Sequence, residues 1–204
     1  VVDGAHPDGI LAERANILDI LGARLAFGPD AVARMPDTPV DLVVTSPGWR
    51  PDQPLLAAAA AAGIPVWGEV ELAWRMRPEH GGAPWLTVTG TNGKTTTVQM
   101  LTSILRAAGL RACSAGNVGT PILEAVVHPD PFDVIAVELS SFQLHWSHSL
   151  APQASVCLNV APDHVDWHGS LEEYALAKGK VYANTEVACI YNVQDERTRR
   201  LVEE

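Results

Sequence analysis

Residues 90–96, with the sequence GTNGKTT, have the composition of a polyphosphate-binding turn. The run WLTVT at residues 85–89 suits a buried strand, and a stretch with helical periodicity begins at Lys94. Backbone N–H groups at a helix start lack partners, and the helix macrodipole adds partial positive charge there. Lys94 can reach β- and γ-phosphate oxygens, and the hydroxyl of Thr95 can bind Mg²⁺. The segment therefore predicts a phosphate-binding loop.

The match to the general phosphate-loop pattern is incomplete. That pattern has a glycine five positions before Gly93, where this chain has Val88. A plain turn followed by a helix cap is the alternative interpretation. The order of strand, glycine turn and helix favours phosphate binding by this segment, which comprises Gly90, Thr91, Asn92, Gly93, Lys94, Thr95 and Thr96.

Glu138 ends another apolar run, Val134–Val137, which suits a strand. A carboxylate at the carboxyl end of a buried parallel strand lies at the ligand edge of an open α/β sheet. We therefore expect Glu138 to hold Mg²⁺, as an acidic residue on a neighbouring strand does in phosphate-loop enzymes. The alternative is that its carboxylate caps the backbone of Ser140 or Ser141.

A dense group of polar residues, DHVDWH at 163–168, follows the apolar run at residues 156–160. Hydrated loops are also rich in Asp and His, and a zinc site is not predicted because no second ligand cluster accompanies this one. His164 follows a strand end directly. In a parallel sheet it would share an edge with Glu138.

Lys178 occupies an apolar stripe of a predicted helix. Ser170 and Glu173 have the spacing of a capping box that would begin this helix. Leu171, Tyr174, Lys178 and Val181 then share one face, whereas Lys180 points elsewhere. On spacing alone, the better interpretation is a lysine whose stem lies on apolar surface and whose ammonium reaches water.

The elements that must position these residues alternate between strand and helix, which is typical of an α/β fold with parallel sheets and helices on both faces. Residues 1–75 predict a partial Rossmann-like domain, in which Asp41–Thr45 reads as a strand covered on both faces. Residues 76–84 predict a linker, and residues 85–204 a partial central domain of the phosphate-loop type.

Two features of the first domain can be interpreted either as ligand-binding residues or as ordinary turns. Asp3 ends a strand, as does the acid that binds a ribose in Rossmann units, but a simple Asp-Gly turn explains it as well. Ser46, Pro47 and Gly48 form a turn on the ligand side of such a sheet, and an ordinary turn is an equal explanation.

Composition limits the function further. The chain has 204 residues, 47% of them hydrophobic and 19% charged, with a net charge of −10 and no basic cluster, so nucleic-acid binding is not expected. Three widely spaced cysteines argue against a disulfide framework. No apolar run has membrane-spanning length, and no signal peptide is visible. We expect a cytoplasmic monomer, and we expect the chain to be a fragment because it begins and ends in mid-pattern.

The motifs TGTNGKTTT, AGNVG, ELSSFQL and LNVAPDHVDWHGSLEEYALAKGKVY, in this order, resemble those of the Mur ligase family. The resemblance covers nearly the whole chain. The segment ELSSFQL, residues 138–144, is similar to that of the members that add D-glutamate. The phosphate turn alone would not separate the chain from folylpolyglutamate synthases.

The resemblance implies an ATP-dependent amide ligase of peptidoglycan precursor synthesis. The alanyl carboxylate of UDP-N-acetylmuramoyl-L-alanine would attack the γ-phosphate of ATP, giving an acyl phosphate and ADP. The amine of D-glutamate would then attack that carbonyl, and phosphate would leave. Residues 1–204 alone are expected to be inactive, because further segments would supply adenine and D-glutamate contacts.

The resemblance also implies roles for individual residues. Lys94 and the backbone of Gly90–Thr96 would hold the ATP phosphates, and Thr95 and Glu138 would hold Mg²⁺. His164 would bind a second Mg²⁺, and Lys178 would be carbamylated by CO₂ and thereby become a metal ligand. The residues implied for substrate binding are Asn117, Ser140, Ser46, Pro47 and Gly48. One departure is that Gly4-Ala5 follows Asp3, where the family often has Thr-Arg, so uridine contacts are not implied there.

Three other functions stay open at this stage. The chain could belong to another Mur-type or folylpolyglutamate-type ligase. It could instead belong to a nucleotide switch that uses its phosphate loop to regulate partners, or it could be a non-catalytic structural fragment. A switch would need no Asn117, His164 or Lys178.

Overall fold

The computed structural model describes residues 1–78 and 81–203 and divides into two compact units. The smaller unit comprises Val1–Val43 and Trp49–Val66, and the larger comprises Val44–Gly48 and Trp67–Glu204. The domain boundaries expected from the sequence stay a prediction. Residues 79 and 80 of the predicted linker and residue 204 lie outside the described residues.

Short strands and two helices form the smaller unit and its border. They are β1 (Val2–Asp3), α1 (Gly9–Ile20), β2 (Ala26–Phe27), β3 (Val43–Thr45), α2 (Pro54–Ala61) and β4 (Val66–Gly68). β1 pairs with β2, and β3 with β4. The expectation that the strand at 41–45 is covered on both faces is wrong, since Val44 is 48% exposed. The reason is that its sheet has only two strands in the described part of the chain.

The larger unit contains a five-stranded sheet in the order β6-β7-β5-β8-β9, in which every pair is parallel. Its strands are β5 (Trp85–Thr89), β6 (Ala112–Gly116), β7 (Val134–Glu138), β8 (Ala154–Cys157) and β9 (Ala188–Tyr191). Its helices are α3 (Glu69–Arg75), α4 (Lys94–Ala107), α5 (Ile122–Val126), α6 (Ser141–His145), α7 (Val165–His168), α8 (Leu171–Gly179) and α9 (Glu196–Glu203).

Continuous apolar strands form this sheet because both of its faces are covered. All residues of β7 are buried. Trp85, Ile135 and Val137 belong to a large cluster that contains residues of α3, α5, α6 and α8. Val88 and Ala136 belong to a second cluster with Val98 of α4. The predicted α/β architecture with helices on both faces is confirmed for this unit.

The strand order decides where the functional side chains lie. β5 is central, with β7 on one side and β8 on the other. Val88 is in register with Glu138, and Thr89 with Cys157. The segments that follow these three strands therefore leave the sheet at one edge, which is the ligand edge of parallel α/β sheets.

Helix α3 has no counterpart among the elements predicted from the sequence. Its Glu71 is fully buried and accepts hydrogen bonds from Ser149 Oγ (2.6 Å), from His148 N (2.7 Å) and from Arg75 Nε (2.7 Å). Burial opposes ionisation, but these donors together lower the pKa of Glu71. Most of its partners lie far away in sequence, where local patterns give no signal.

No helix among the described residues is both long and apolar enough to cross a bilayer.

Gly116 offers a test of the packing between β6 and β7. Its φ is +102°, and a Cβ built there would overlap the carbonyl oxygen of Glu138. We expect Gly116→Ala to lower the free energy of unfolding by about 3 kcal/mol or more, because left-handed strain and overpacking add. Chemical denaturation of the chain would measure this.

Gly109→Ala is the matched control. Gly109 also has a positive φ, +86°, but a Cβ there meets nothing within 4 Å. Its substitution should cost only about 1–2 kcal/mol. Equal losses in the two variants would show that the contact with Glu138 has no role.

Candidate functional site

The predicted phosphate loop connects β5 to α4. Gly93 immediately precedes the helix with φ +84°, a left-handed conformation that favours glycine. Thr97 N–H donates to the Gly93 carbonyl at 3.0 Å. In the described residues no hydrogen bond engages the N–H groups of Lys94, Thr95 and Thr96, so these donors are open to an anion.

The N–H groups of Thr91 and Asn92 are already engaged. Thr91 N–H donates to the carbonyl of Asn159 at 3.0 Å, and Asn92 N–H donates to the side chain of Asn159 at 2.9 Å. The phosphate-binding set expected from the sequence therefore has two parts. Residues 91 and 92 hold the loop to Asn159, which follows β8, and the start of α4 presents free donors.

Two lysine ammonium groups meet at one carbonyl oxygen of the loop. Lys94 Nζ donates to Gly90 O at 2.9 Å and to Thr91 O at 3.0 Å. Lys178 Nζ donates to the same Gly90 oxygen at 3.0 Å. Like charges placed this close favour an anion between or beside them.

Lys178 is only 1% exposed, so the interpretation that its ammonium reaches water is wrong. The ammonium lies 4.5 Å from the centre of the Tyr174 ring, in a cation–π contact. Burial lowers the pKa of Lys178, and the neighbouring Lys94 ammonium lowers it further, to about 8. A neutral amine is therefore accessible near physiological pH.

Glu138 is 1% exposed, and its carboxylate accepts hydrogen bonds from two neutral donors. These are Thr95 Oγ1 at 2.8 Å and Asn117 Nδ2 at 3.1 Å. No ion pair to Glu138 occurs among the described residues. A buried carboxylate without a cationic partner, next to a hydroxyl, is a donor set that fits a hard cation such as Mg²⁺.

The alternative role of Glu138 as a cap is wrong. Ser140 begins α6 through a capping box with Gln143 instead. Gln143 N–H donates to Ser140 Oγ at 3.1 Å, and Ser140 N–H donates to Gln143 Oε1 at 2.9 Å. The carboxylate of Glu138 therefore does not cap α6 and lies at the carboxyl end of β7.

His164 follows β8, as the sequence predicted, and its ring lies near Tyr174 of α8. Its ring packs 4.7 Å from Phe142 and 6.1 Å from Tyr174, whose ring also contacts Lys178. Its Nε2 is 3.4 Å from a carboxylate oxygen of Asp163. The metal-binding role of His164 stays a prediction.

The remaining members of the 163–168 segment do not form a metal centre. His168 Nε2 is hydrogen-bonded to Ser141 Oγ at 3.0 Å, and burial lowers the pKa of His168 to about 4. Within residues 1–78 and 81–203, no group of three or more His, Cys, Asp or Glu side chains could hold a metal ion.

The predicted substrate residues occupy different settings in the larger unit. Asn117 contacts Glu138 through both its side chain and its backbone N–H. The Ser140 hydroxyl caps α6, and the carbonyl of Gly48 accepts a hydrogen bond from Trp167 Nε1 at 3.1 Å. Roles for Asn117, Ser140 and the turn Ser46-Pro47-Gly48 in substrate binding stay predictions.

Asn159 is the residue that sequence reasoning missed. It follows β8 closely, and its side chain contacts the phosphate loop. The signal that could have identified it is an asparagine just past a strand that ends at the predicted ligand edge.

Comparison with known proteins identifies relatives of this chain. Residues 88–204 match the family model described as the Mur ligase middle domain. The chain is similar to proteins named UDP-N-acetylmuramoylalanine--D-glutamate ligase. It is 57% identical to that of Streptomyces avermitilis over 202 residues, which cover 99% of this chain and 42% of the relative. It is 54% identical to that of Thermobifida fusca over 205 residues, or 100% and 43%. The chain thus spans about two-fifths of these relatives.

A solved structure shares the fold. The crystal structure of UDP-N-acetylmuramate:L-alanyl-gamma-D-glutamyl-meso-diaminopimelate ligase from Neisseria meningitides aligns with a TM-score of 0.58 and 16% identity. The alignment covers 98% of this chain and 65% of that one. At this identity the likeness concerns the architecture alone.

The setting of Lys178 predicts its titration. The chain has only three lysines, at 94, 178 and 180, so side-chain carbon and nitrogen NMR signals can be assigned by substitution. We expect a midpoint near pH 8 for Lys178. In Lys94→Ala the midpoint should rise but stay below the ordinary 10.5, because burial is the larger cause.

The lowered pKa of Lys178 also determines how the free energy of unfolding changes with pH. The folded chain releases the Lys178 proton near pH 8, whereas the unfolded chain keeps it to about pH 10.5. Between these values the unfolded state binds more protons, so this group makes the free energy of unfolding rise with pH. A Lys178 midpoint at 10.5 would contradict the buried, like-charged setting.

Proposed function

Because this chain belongs to the Mur ligase family, we propose that it forms part of an ATP-dependent ligase that joins D-glutamate to UDP-N-acetylmuramoyl-L-alanine. The observation that carries the proposal is the convergence of Lys94 and Lys178 on Gly90 at the edge where Thr95 binds Glu138. The names of the relatives support the substrate pair. The enzyme would act in peptidoglycan precursor synthesis, as a cytoplasmic monomer that binds neither nucleic acid nor membrane.

The geometry meets the main physical difficulty of this reaction, which is to bring a carboxylate against a phosphate when both are anions. Fixed positive groups must offset this repulsion in a site where water is limited. Lys94 and the free N–H groups at the start of α4 serve the nucleotide phosphates. They act locally, so the overall net charge of −10 is no obstacle.

Magnesium fits the residues at the rim. Thr95 and Glu138 would hold one Mg²⁺, which neutralises charge on the β- and γ-phosphates when bound. His164 would contribute to a second Mg²⁺ site. The fit rests on the buried carboxylate of Glu138, which has only neutral donors among the described residues.

Lys178 would act after carbamylation. Its amine, neutral in part near pH 8, would attack CO₂, so that an N–C bond forms and the nitrogen releases a proton. The product carries one negative charge on carboxylate-like oxygens, which suit a hard cation. The change also replaces the repulsion between Lys178 and Lys94 by attraction.

Substrate positions complete the proposal. Asn117 and Ser140 would contact the muramoyl substrate near its reacting carboxylate, and Ser46, Pro47 and Gly48 would contact the uridine diphosphate. Asn117 is the better supported of these, because its amide lies 3.1 Å from the Glu138 carboxylate.

The proposed reaction predicts a strict substrate requirement. In a full-length ligase that carries these residues, ADP release should need both UDP-N-acetylmuramoyl-L-alanine and D-glutamate. Lys94→Ala should lower kcat/KM at least about 100-fold, which equals about 2.7 kcal/mol of barrier. A coupled ADP assay with L-glutamate and L-alanine as alternative acceptors would measure this.

Two results would count against the assignment. ATP hydrolysis that needs neither substrate would indicate a nucleotide switch, and faster turnover with another acceptor would indicate a different ligase of the family.

Lys180→Met is the control for Lys94→Ala, because Lys180 donates to the His145 carbonyl at 3.2 Å and has no bond to the loop within the described residues.

Carbamylation predicts a separate signal. With ¹³C-labelled bicarbonate, the chain should show a carbamate carbon resonance that Lys178→Ala removes and Lys180→Met retains. In the full-length ligase, Lys178→Ala should slow turnover at least about 100-fold, and added small carboxylates should restore part of the rate. An unchanged spectrum and rate in Lys178→Ala would remove the carbamate from the mechanism.

A further inference from the structure

We propose that Asn159 is a positioning residue that holds the phosphate loop in place without touching the nucleotide. Its side-chain amide pairs with both main-chain groups of Asn92. Oδ1 accepts the Asn92 N–H at 2.9 Å, and Nδ2 donates to the Asn92 carbonyl at 3.1 Å. The carbonyl of Asn159 also accepts the Thr91 N–H at 3.0 Å. The inference rests on the proposed function only in that the loop binds ATP.

The sheet explains why an asparagine is suited to this place. β5 and β8 pair in parallel up to Thr89 and Cys157, and Leu158 N–H then donates to the Thr89 carbonyl at 3.0 Å. Beyond this point the chain of β5 turns away into the loop. A carboxamide has the same donor and acceptor as a peptide group. The side chain of Asn159 therefore continues the strand pairing where the backbone alone cannot.

A second set of contacts holds the same loop from outside. Thr91 Oγ1 accepts the Ala161 N–H at 3.0 Å and shares a hydrogen bond with Tyr174 OH at 3.1 Å. The Tyr174 ring lies 4.5 Å from the Lys178 ammonium. The loop is thus fixed by the segment after β8 and by α8, the helix that carries Lys178.

This arrangement divides the N–H groups of the loop by task. Those of Thr91 and Asn92 bind Asn159, and those of Lys94, Thr95 and Thr96 remain free in the described residues. The free groups can serve a phosphate only if the turn before them is held at the correct place. A displacement of about 1 Å of a positioned group can cost about 100-fold in rate. Asn159 would therefore influence catalysis through loop position.

Asn192 is a matched control within the same fold. It is also an asparagine that directly follows a strand, β9, and its Nδ2 donates to the Leu158 carbonyl at 3.1 Å. Its Oδ1 accepts the Gln194 N–H at 3.0 Å. Among the described residues, these bonds link it to the residue that follows β8 and to its own turn, and not to the phosphate loop. Loss of Asn192 should affect the sheet edge alone.

The experiment compares Asn159→Ala, Asn159→Asp and Asn192→Ala in the 204-residue chain. Amide hydrogen exchange reports on the loop without any ligand. We expect the Asn92 N–H to exchange at least tenfold faster in Asn159→Ala and at the original rate in Asn192→Ala. Asn159→Asp keeps an acceptor for this N–H, so exchange should change less there.

Nucleotide affinity gives the second readout, with MgADP as the probe in calorimetry on a full-length ligase that carries these residues. Asn159→Ala should bind at least tenfold more weakly, and Asn159→Asp more weakly still, because its carboxylate would face the Asn92 carbonyl and add negative charge beside the phosphates. Asn192→Ala should stay within twofold. In a full-length ligase, the KM for ATP should rise and the KM for D-glutamate should not.

The outcomes separate this inference from the proposed function. Folded Asn159→Ala that keeps the original exchange rate and MgADP affinity would overturn the inference. An equal loss of MgADP affinity in Asn159→Ala and Asn192→Ala would also overturn it, because Asn159 would then contribute only to general stability. If the full-length ligase binds no MgADP, the proposed function fails, while exchange at Asn92 still decides whether Asn159 holds the loop.

Discussion

The carbonyl oxygen of Gly90 is the point on which the site depends. It receives the ammonium of Lys94 from the start of α4 and that of Lys178 from α8. Placing two like charges on one neutral acceptor, one of them almost fully buried, is unfavourable by itself. The folded chain tolerates it because the sheet, the loop and α8 fix both stems. The site is therefore built with excess positive charge before any anion arrives.

A buried carboxylate lies beside the start of α4. Glu138 is buried at the end of β7 and is bound by a hydroxyl and an amide, neither of which carries charge. Thr95 links the two regions, since it lies in the first turn of α4, whose first N–H groups are free in the described residues, and also binds the carboxylate. Under the proposed function, a phosphate with a bound divalent cation would place charge of the opposite sign beside each of these groups.

Local patterns in the sequence predicted the parts of this site that depend on local chemistry. The phosphate loop, the strand that ends in Glu138 and the apolar face that carries Lys178 are all short-range signals, and the structure brings these residues together. The burial of the Lys178 ammonium could not be predicted. Helical periodicity places Lys178 on an apolar face but does not show whether water reaches the end of its side chain. Helix α3 and Asn159 were missed since their partners, such as Ser149 for Glu71, lie far away in the chain.

The use of lysine at this site follows from the same electrostatics. The chain has eleven arginines and three lysines, and two of those lysines meet at Gly90. A guanidinium cannot lose its proton in a protein, so an arginine at position 178 would keep its charge whatever its surroundings. An amine can lose it, and burial beside Lys94 lowers the pKa of Lys178 to about 8. Burial and, to a smaller extent, repulsion from Lys94 therefore both favour the neutral form of the Lys178 amine. The protonation state of Lys178 on α8 is thus coupled to the charge of Lys94 at the phosphate loop.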